Sequence, residues 1–212
     1  MIEDYKDYLR GNFAFKGSTR FAIGMAVWVI GGVIGFIYEV IFYLANSGFK
    51  TFFWRGGTFG PWIEVYCIAA WLIYLCLYKL RRQPWFVFLL SAVVCSLIQL
   101  IVGLGLYYFF DGARAWNYNL EILNFWNFGG FICLRSVLEF GILGLLVIYV
   151  IAPLLYRMAD RMNRGSFVAL WVILGLICIA DIAYNDVVCV LLPGLASATD
   201  IYKMIGLRYM QY

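Results

Sequence analysis

Five stretches of this chain, residues 21–45, 62–78, 85–110, 131–156 and 167–192, are apolar and almost free of charge. A helix of about 20 apolar residues crosses the hydrocarbon core of a bilayer. Inside lipid the backbone must satisfy its own hydrogen bonds, and a helix does so within one segment. The pattern predicts an all-α fold: a polytopic transmembrane helical bundle of about five spans, held in the lipid bilayer of the cell membrane as a multi-pass protein. Hydrophobic residues make up 65% of the 212 and charged residues 13%, against about 25% charged in an ordinary soluble domain. A soluble core of this size would not hide that much apolar surface. No linker divides the spans, so the chain reads as an N-terminal segment (1–20), one transmembrane domain (21–192) and a C-terminal segment (193–212). The fifth stretch is the least regular, because Asp181, Asn185 and Asp186 interrupt it.

Short loops rich in Lys and Arg stay on the cytoplasmic side of a membrane. Lys6, Arg10, Lys16 and Arg20 precede the first stretch, Lys79, Arg81 and Arg82 join the second to the third, and Arg157, Arg161 and Arg164 join the fourth to the fifth. The other side carries only Lys50, Arg55, Arg114, Lys203 and Arg208. The N-terminus is therefore expected in the cytoplasm and the C-terminus outside. The first 20 residues hold no apolar core followed by a small-residue cleavage site, so no cleaved signal peptide is expected. The inner connections are a tight turn at 79–84 and a ten-residue loop at 157–166. The outer ones, 46–61 and 111–130, are longer and rich in Gly, Asn and aromatics. Loops longer than about 12 residues are usually functional or disordered, and aromatic-rich ones are rarely disordered. Both are expected to fold back over the outer mouth of the bundle.

A charged side chain at the bilayer centre costs at least about 3 kcal/mol on insertion scales. It persists when paired, near an interface, or lining a polar cavity. Glu39, Glu64, Arg135, Glu139 and Asp181 lie within the spans, with Gln99 as a polar companion, and all fall toward the outer ends. Arg135 and Glu139 are four apart, so they share a helix face and can pair. Arg135 could also reach Glu39 on a neighbouring helix. Two readings stand side by side. The residues are interhelical glue with neutralised charges, or they line an outward-opening pocket for a substrate, an ion or a partner helix. Glu39, Glu64, Gln99, Arg135 and Glu139 are the pocket candidates. Gly31, Gly32 and Gly35 on the first helix and Gly141 and Gly144 on the fourth permit close helix approach, read as packing within one chain. Pro153 is expected to kink or end the fourth helix.

Several chemistries are excluded. There is no histidine, which removes His-ligated haem, most catalytic zinc sites and His-based general bases. The six cysteines, Cys67, Cys76, Cys95, Cys133, Cys178 and Cys189, form no C-x-x-C pair and read as small buried hydrophobes. No metal or other cofactor is expected. The net charge of +4 is modest and spread in short juxtamembrane clusters, so no nucleic-acid partner is expected. Neither a P-loop, G-x-S-x-G nor H-E-x-x-H occurs, and an enzyme reading has no catalytic motif behind it.

Four segments occur in order: residues 35–39 (GFIYE), 55–66 (RGGTFGPWIEVY), 116–118 (WNY) and 130–136 (GFICLRS). Their order and spacing resemble the membrane protein family called Putative ABC-transporter type IV, over roughly residues 31–157. The resemblance adds Arg55, Tyr66, Trp116, Asn117 and Tyr118 as outer-loop candidates. Glu64 stands where the family usually has proline, Cys67 where it has glycine, Asn117 where it has aspartate and Phe131 where it has arginine. The last two remove an acid and a base from one outer region, which reads as the coupled loss of an ion pair or as an altered pocket. The resemblance implies a transporter component or small permease of unknown substrate. Such a chain lacks its own ATPase, so an ATP-driven one needs a separate ATPase subunit, with the inner loops as candidate docking points. With five spans it would also be expected to form a homo-oligomer. The residues alone leave two alternatives open: a non-transporting module that binds a lipid or partner membrane protein through its outer loops, and a membrane-embedded enzyme using the same carboxylates.

Overall fold

Apolar runs this long become helices, and helices dominate the computed structural model of the chain. It describes residues 2–10, 15, 17–50, 52, 54–109, 112, 114, 116–192 and 194–207. Lys16, Phe110, Asp111 and Arg208, which entered the expectations above, lie outside the described residues. Seven helices are distinguished: α1 (Ile2–Arg10), α2 (Ser18–Asn46), α3 (Glu64–Leu77), α4 (Pro84–Phe109), α5 (Leu134–Arg161), α6 (Arg164–Leu191) and α7 (Ala198–Met204). Four of them, α2, α4, α5 and α6, are long and apolar enough to cross a membrane.

The second expected span is shorter than the sequence suggested. α3 holds 14 residues and continues through one tight 3-10 turn, Tyr78–Leu80. At about 1.5 Å per α residue and about 2 Å per 3-10 residue, it covers about 27 Å, close to the ~30 Å hydrocarbon thickness. The loop read at 157–166 is mostly helix. Only Met162 and Asn163 separate α5 from α6, because Asn163 caps α6, its side chain accepting from the Gly165 and Ser166 N–H groups at 2.9 and 3.3 Å. A short side chain that accepts from the first free N–H groups of a helix starts that helix.

Packing sets the order of the helices. α2 and α3 run antiparallel at very close approach. A Cβ on Gly31 would lie 2.3 Å from that of Ala70, one on Gly32 2.3 Å from Cys67 Sγ, and one on Gly35 2.2 Å from the Tyr66 ring. α4 and α5 pair in the same way, with Ser91 Oγ 2.0 Å from where a Gly144 Cβ would sit. α6 lies beside α2 and runs parallel to it. Its start meets the start of α2 through Arg164 and Ser18 (3.2 Å), and its Gly175 meets Met25. α2 is the central helix, with 56% of its apolar window buried, and α6 is peripheral, with 17% buried. The many exposed apolar side chains of α4 and α6, among them Leu89, Ile101, Ile173 and Leu176, are what a lipid-facing surface requires.

Pro153 does not end its helix. The turn before it, Val147–Ile151, widens into a π-helix, and the chain then continues to Arg161. A proline inside an α-helix removes one hydrogen bond and crowds the preceding turn, and a π-turn absorbs that misfit. The wider turn points the Ile148 carbonyl at residue 153, which has no N–H to give. Tyr8 of α1 supplies the bond instead, its hydroxyl donating to Ile148 O at 2.7 Å. α1 is held there by two arginines at its C-terminal end. Arg81 donates to the Tyr8 carbonyl (2.9 Å), and Arg82 to those of Leu9 (3.3 Å) and Arg10 (3.1 Å), a cap that suits the negative end of a helix. The N-terminal segment is thus a docked helix, which the span-based reading had missed.

Two outcomes are expected. Gly31→Val and Gly144→Val should each lower the unfolding temperature in detergent strongly, since overpacking costs about 1–3 kcal/mol, whereas Gly105→Ala, which meets nothing within 4 Å, should not. Tyr8→Phe should destabilise by about 1 kcal/mol, the net worth of one buried hydrogen bond or a little more. Equal tolerance of valine at 31 and at an open surface position would contradict the packing described.

Candidate functional site

Where the outer ends of α2, α3, α4 and α5 meet, they leave a cavity of about 520 Å³. The two long outer loops fold over it. The first contributes Arg55, Gly56 and Gly57, and the second Arg114, Trp116, Tyr118 and Glu121. The first loop is tied down at several points. Its Ile63 N–H donates to Gly32 O at 3.2 Å, and Thr58 Oγ1 donates to the carbonyls of Gly60 (3.2 Å) and Trp62 (2.9 Å). Asp181 of α6 accepts from Phe59 N–H (3.0 Å), Gly60 N–H (2.8 Å) and Trp62 Nε1 (3.0 Å). The second loop is knotted by its own asparagines. Asn124 donates to Tyr118 O (3.0 Å), Asn127 to Asn119 Oδ1 (2.7 Å), and Gly130 N–H to Asn127 Oδ1 (2.8 Å).

The structure brings Glu39, Glu64, Gln99, Arg135 and Glu139 to the walls of this one cavity, together with Arg55, Tyr66, Trp116 and Tyr118 from the motif segments. Asn117 does not line it; its side chain accepts from Asn119 N–H at 3.2 Å and shapes the loop. Asp181 is also outside, occupied in holding the first loop. Two of the four positions that depart from the family pattern, Asn117 and Phe131, lie against the Gly129–Gly130 turn. Arg114 stands 4.4 Å over the Phe131 ring and donates to Gly129 O at 2.9 Å.

The ion pairs differ from the expected ones in one respect. Arg135 does pair with Glu139 one turn along its helix, at 3.3 Å, but its second carboxylate is Glu121 of the loop, not Glu39. Arg135 also donates to Tyr38 OH at 3.1 Å, and that hydroxyl donates to Glu139. Its guanidinium lies 4.1 Å from the Phe42 ring, a cation–π contact. Glu39 is taken by Arg55, with Nε at 2.9 Å and an Nη at 2.8 Å from the same carboxylate oxygen. Arg55 is only 4% exposed and stands 3.9 Å over the Tyr43 ring. Tyr43 in turn donates to Glu121, so the two ion-pair groups join into one network. Burial pushes the Glu121 carboxyl above its ordinary value, and the Arg135 charge pulls it back. Burial and the nearby Glu139 charge push the Tyr118 phenol well up.

Tyr38, Phe42, Tyr43, Arg114 and Glu121 were missed by sequence reasoning. Helix spacing carried a signal for three of them, because Tyr38 and Phe42 flank Glu39 on one side of α2 and Tyr43 is one turn beyond it. Glu121, in the middle of an aromatic loop, carried none that would have tied it to Arg135.

A family model described as Putative ABC-transporter type IV matches residues 26–185. The chain belongs to that family. The match runs from α2 into α6 and includes every cavity-lining residue. No curated protein and no solved structure matches the chain. Membership and the four apolar helices make it a membrane protein of a transporter-related family.

Removing one partner of a buried ion pair costs about 3–5 kcal/mol, because a charge is left uncompensated. Arg135→Met strands two carboxylates and should lower the unfolding temperature more than Glu139→Gln, which leaves Arg135 with Glu121. Arg55→Met should destabilise more than the double variant Arg55→Met with Glu39→Met, in which neither charge remains. Thermal unfolding in one detergent checks both orders, and a double variant no better than the single would contradict the pairing.

Proposed function

We propose that the chain is the membrane component of a transporter, and that the outer cavity is where its solute binds. The observation that carries this reading is the collection of charged and polar groups round one space of about 520 Å³, within the ~300–1,000 Å³ of small-molecule sites. Groups that served only to hold helices together would pair across a closed interface and leave no such space. The family description points to the same class of work. The protein sits as a multi-pass protein in the cell membrane, N-terminus in the cytoplasm, with the cavity facing outward. This chain carries no nucleotide-binding motif, so the energy of transport comes from a separate ATPase subunit. The docking surface lies on the basic inner side, at the 3-10 turn after α3 and at the α5–α6 turn. With this few spans the working assembly contains two copies of the chain.

The test is affinity purification of the chain in mild detergent, with identification of what stays bound. An ATPase subunit in fixed stoichiometry, its hydrolysis rate raised by the chain, is the expected result. A fixed lipid or another membrane protein in its place, with no ATPase, would sink the transport reading and make the chain a binding module.

A further inference from the structure

The cavity is charged unevenly, and its unpaired groups fit one kind of ligand. Four carboxylates line it, Glu39, Glu64, Glu121 and Glu139, against three guanidinium groups, Arg55, Arg114 and Arg135. Arg55 is engaged by Glu39, and Arg135 is shared between Glu121 and Glu139. Arg114 is spent on the loop, donating to Gly129 O and lying over the Phe131 and Tyr107 rings. Glu64 is left with no ion pair among the described residues, and its buried Oε2 has no hydrogen-bond partner. Gln99 is 6% exposed, and while its Nε2 donates to Tyr118 OH at 2.7 Å, its Oε1 also lacks a partner. The two residues that carry these unpartnered acceptors line one cavity, one on α3 and the other on α4. A buried acceptor without a donor costs about 1–3 kcal/mol, and more when it is charged, and an isolated buried carboxylate is costlier still. Taking up a proton relieves the charge on a carboxylate, whereas a cationic donor partners both acceptors and leaves Glu64 ionised. Arg135 Nε is the one other buried unpartnered side-chain atom among the described cavity-lining residues. Its charge is already balanced by two carboxylates, so it asks for a neutral acceptor, not for an anion.

We infer that the cavity binds a small protonated amine, its N–H groups donating to Glu64 and Gln99 and a hydroxyl or carbonyl of the same molecule accepting from Arg135. This rests on the reading of the cavity as a solute site and names the class of solute. Tyr66, which also lines the cavity, adds an aromatic surface of the kind that cations favour. A fully methylated ammonium lacks the N–H donors and leaves both acceptors unpaired, so it binds more weakly. Sites built to hydrogen-bond a ligand reject the analogue that cannot do so.

The experiment is calorimetric titration of the full chain in nanodiscs with methylamine, ethanolamine and phenethylamine, and with choline, acetate and glycerol as contrasts. Binding of at least one primary amine is expected, with choline weaker than ethanolamine by about ten-fold or more. Glu64→Gln, which keeps the shape and removes the charge, should weaken the amine by a similar factor. Gln99→Leu, which removes the other acceptor, gives the same reading if Glu64→Gln fails to fold. Binding of acetate or glycerol without any amine overturns the amine class while leaving a solute cavity. Failure of all six, or amine binding unchanged in both variants, overturns the inference. The transport reading stands on its ATPase partner, which this titration does not touch, so the two failures are distinct.

Discussion

Arg135 is the group on which the outer half of the molecule depends. It is the second residue of α5, where a lone buried cation would be expensive. It is made tolerable by a carboxylate from its own helix, a carboxylate from the 111–130 loop, and a tyrosine and a phenylalanine from α2. Those contacts fix where α5, α2 and the loop stand relative to one another. The second pair, Arg55 with Glu39, does the same for the 46–61 loop and α2, and Tyr43 joins the two by stacking under Arg55 and donating to Glu121. Each loop is anchored over the cavity by the charged side chain it sends inward, in addition to its backbone and asparagine hydrogen bonds.

The inner half is organised on different principles. Within the spans it is nearly uncharged, held by the close contacts of Gly175 with Met25 and Gly144 with Ser91 and by a cluster of tyrosines. Tyr8, Tyr74, Tyr78 and Tyr156 pack edge-on or stacked with ring centroids 5.4–5.8 Å apart, and Tyr74 and Tyr156 share a hydrogen bond of 3.1 Å. Offset and edge-to-face rings are the favourable arrangements. The π-turn before Pro153 belongs to this half, and α1 closes it from below. Among the described residues the cavity lies at one end of the bundle and the tyrosine cluster packs the other.

The fold was legible because lipid leaves the backbone few choices: long apolar runs had to be helices. The boundaries were less so. Residues 157–161 are polar enough to read as loop, yet they complete an amphipathic helix end, and α1 has too few apolar residues to look like anything but a tail until Arg81, Arg82 and the Ile148 carbonyl are seen around it. The cavity was half legible. Charge in an apolar run is conspicuous, which exposed Glu39, Glu64, Arg135 and Glu139, and the motif segments exposed Arg55, Tyr66, Trp116 and Tyr118. The pairing was not legible. Arg135 finds Glu121 through a loop whose path is set by hydrogen bonds among asparagines, and no periodicity encodes that. Asp181 looked like the other intramembrane acids and proved to hold two backbone donors of the 46–61 loop and the Trp62 indole instead.

The intramembrane charges either surround water-accessible space or only hold helices together. Replacing Gln99 by cysteine, deep on the cavity wall, and treating intact cells with a small membrane-impermeant thiol reagent decides it. The account predicts labelling of Gln99→Cys from outside, above the level of the unchanged chain with its six native cysteines. Labelling that appears only after the protein is unfolded would mean that the outer ends of the helices close on one another, and that the charges are structural glue.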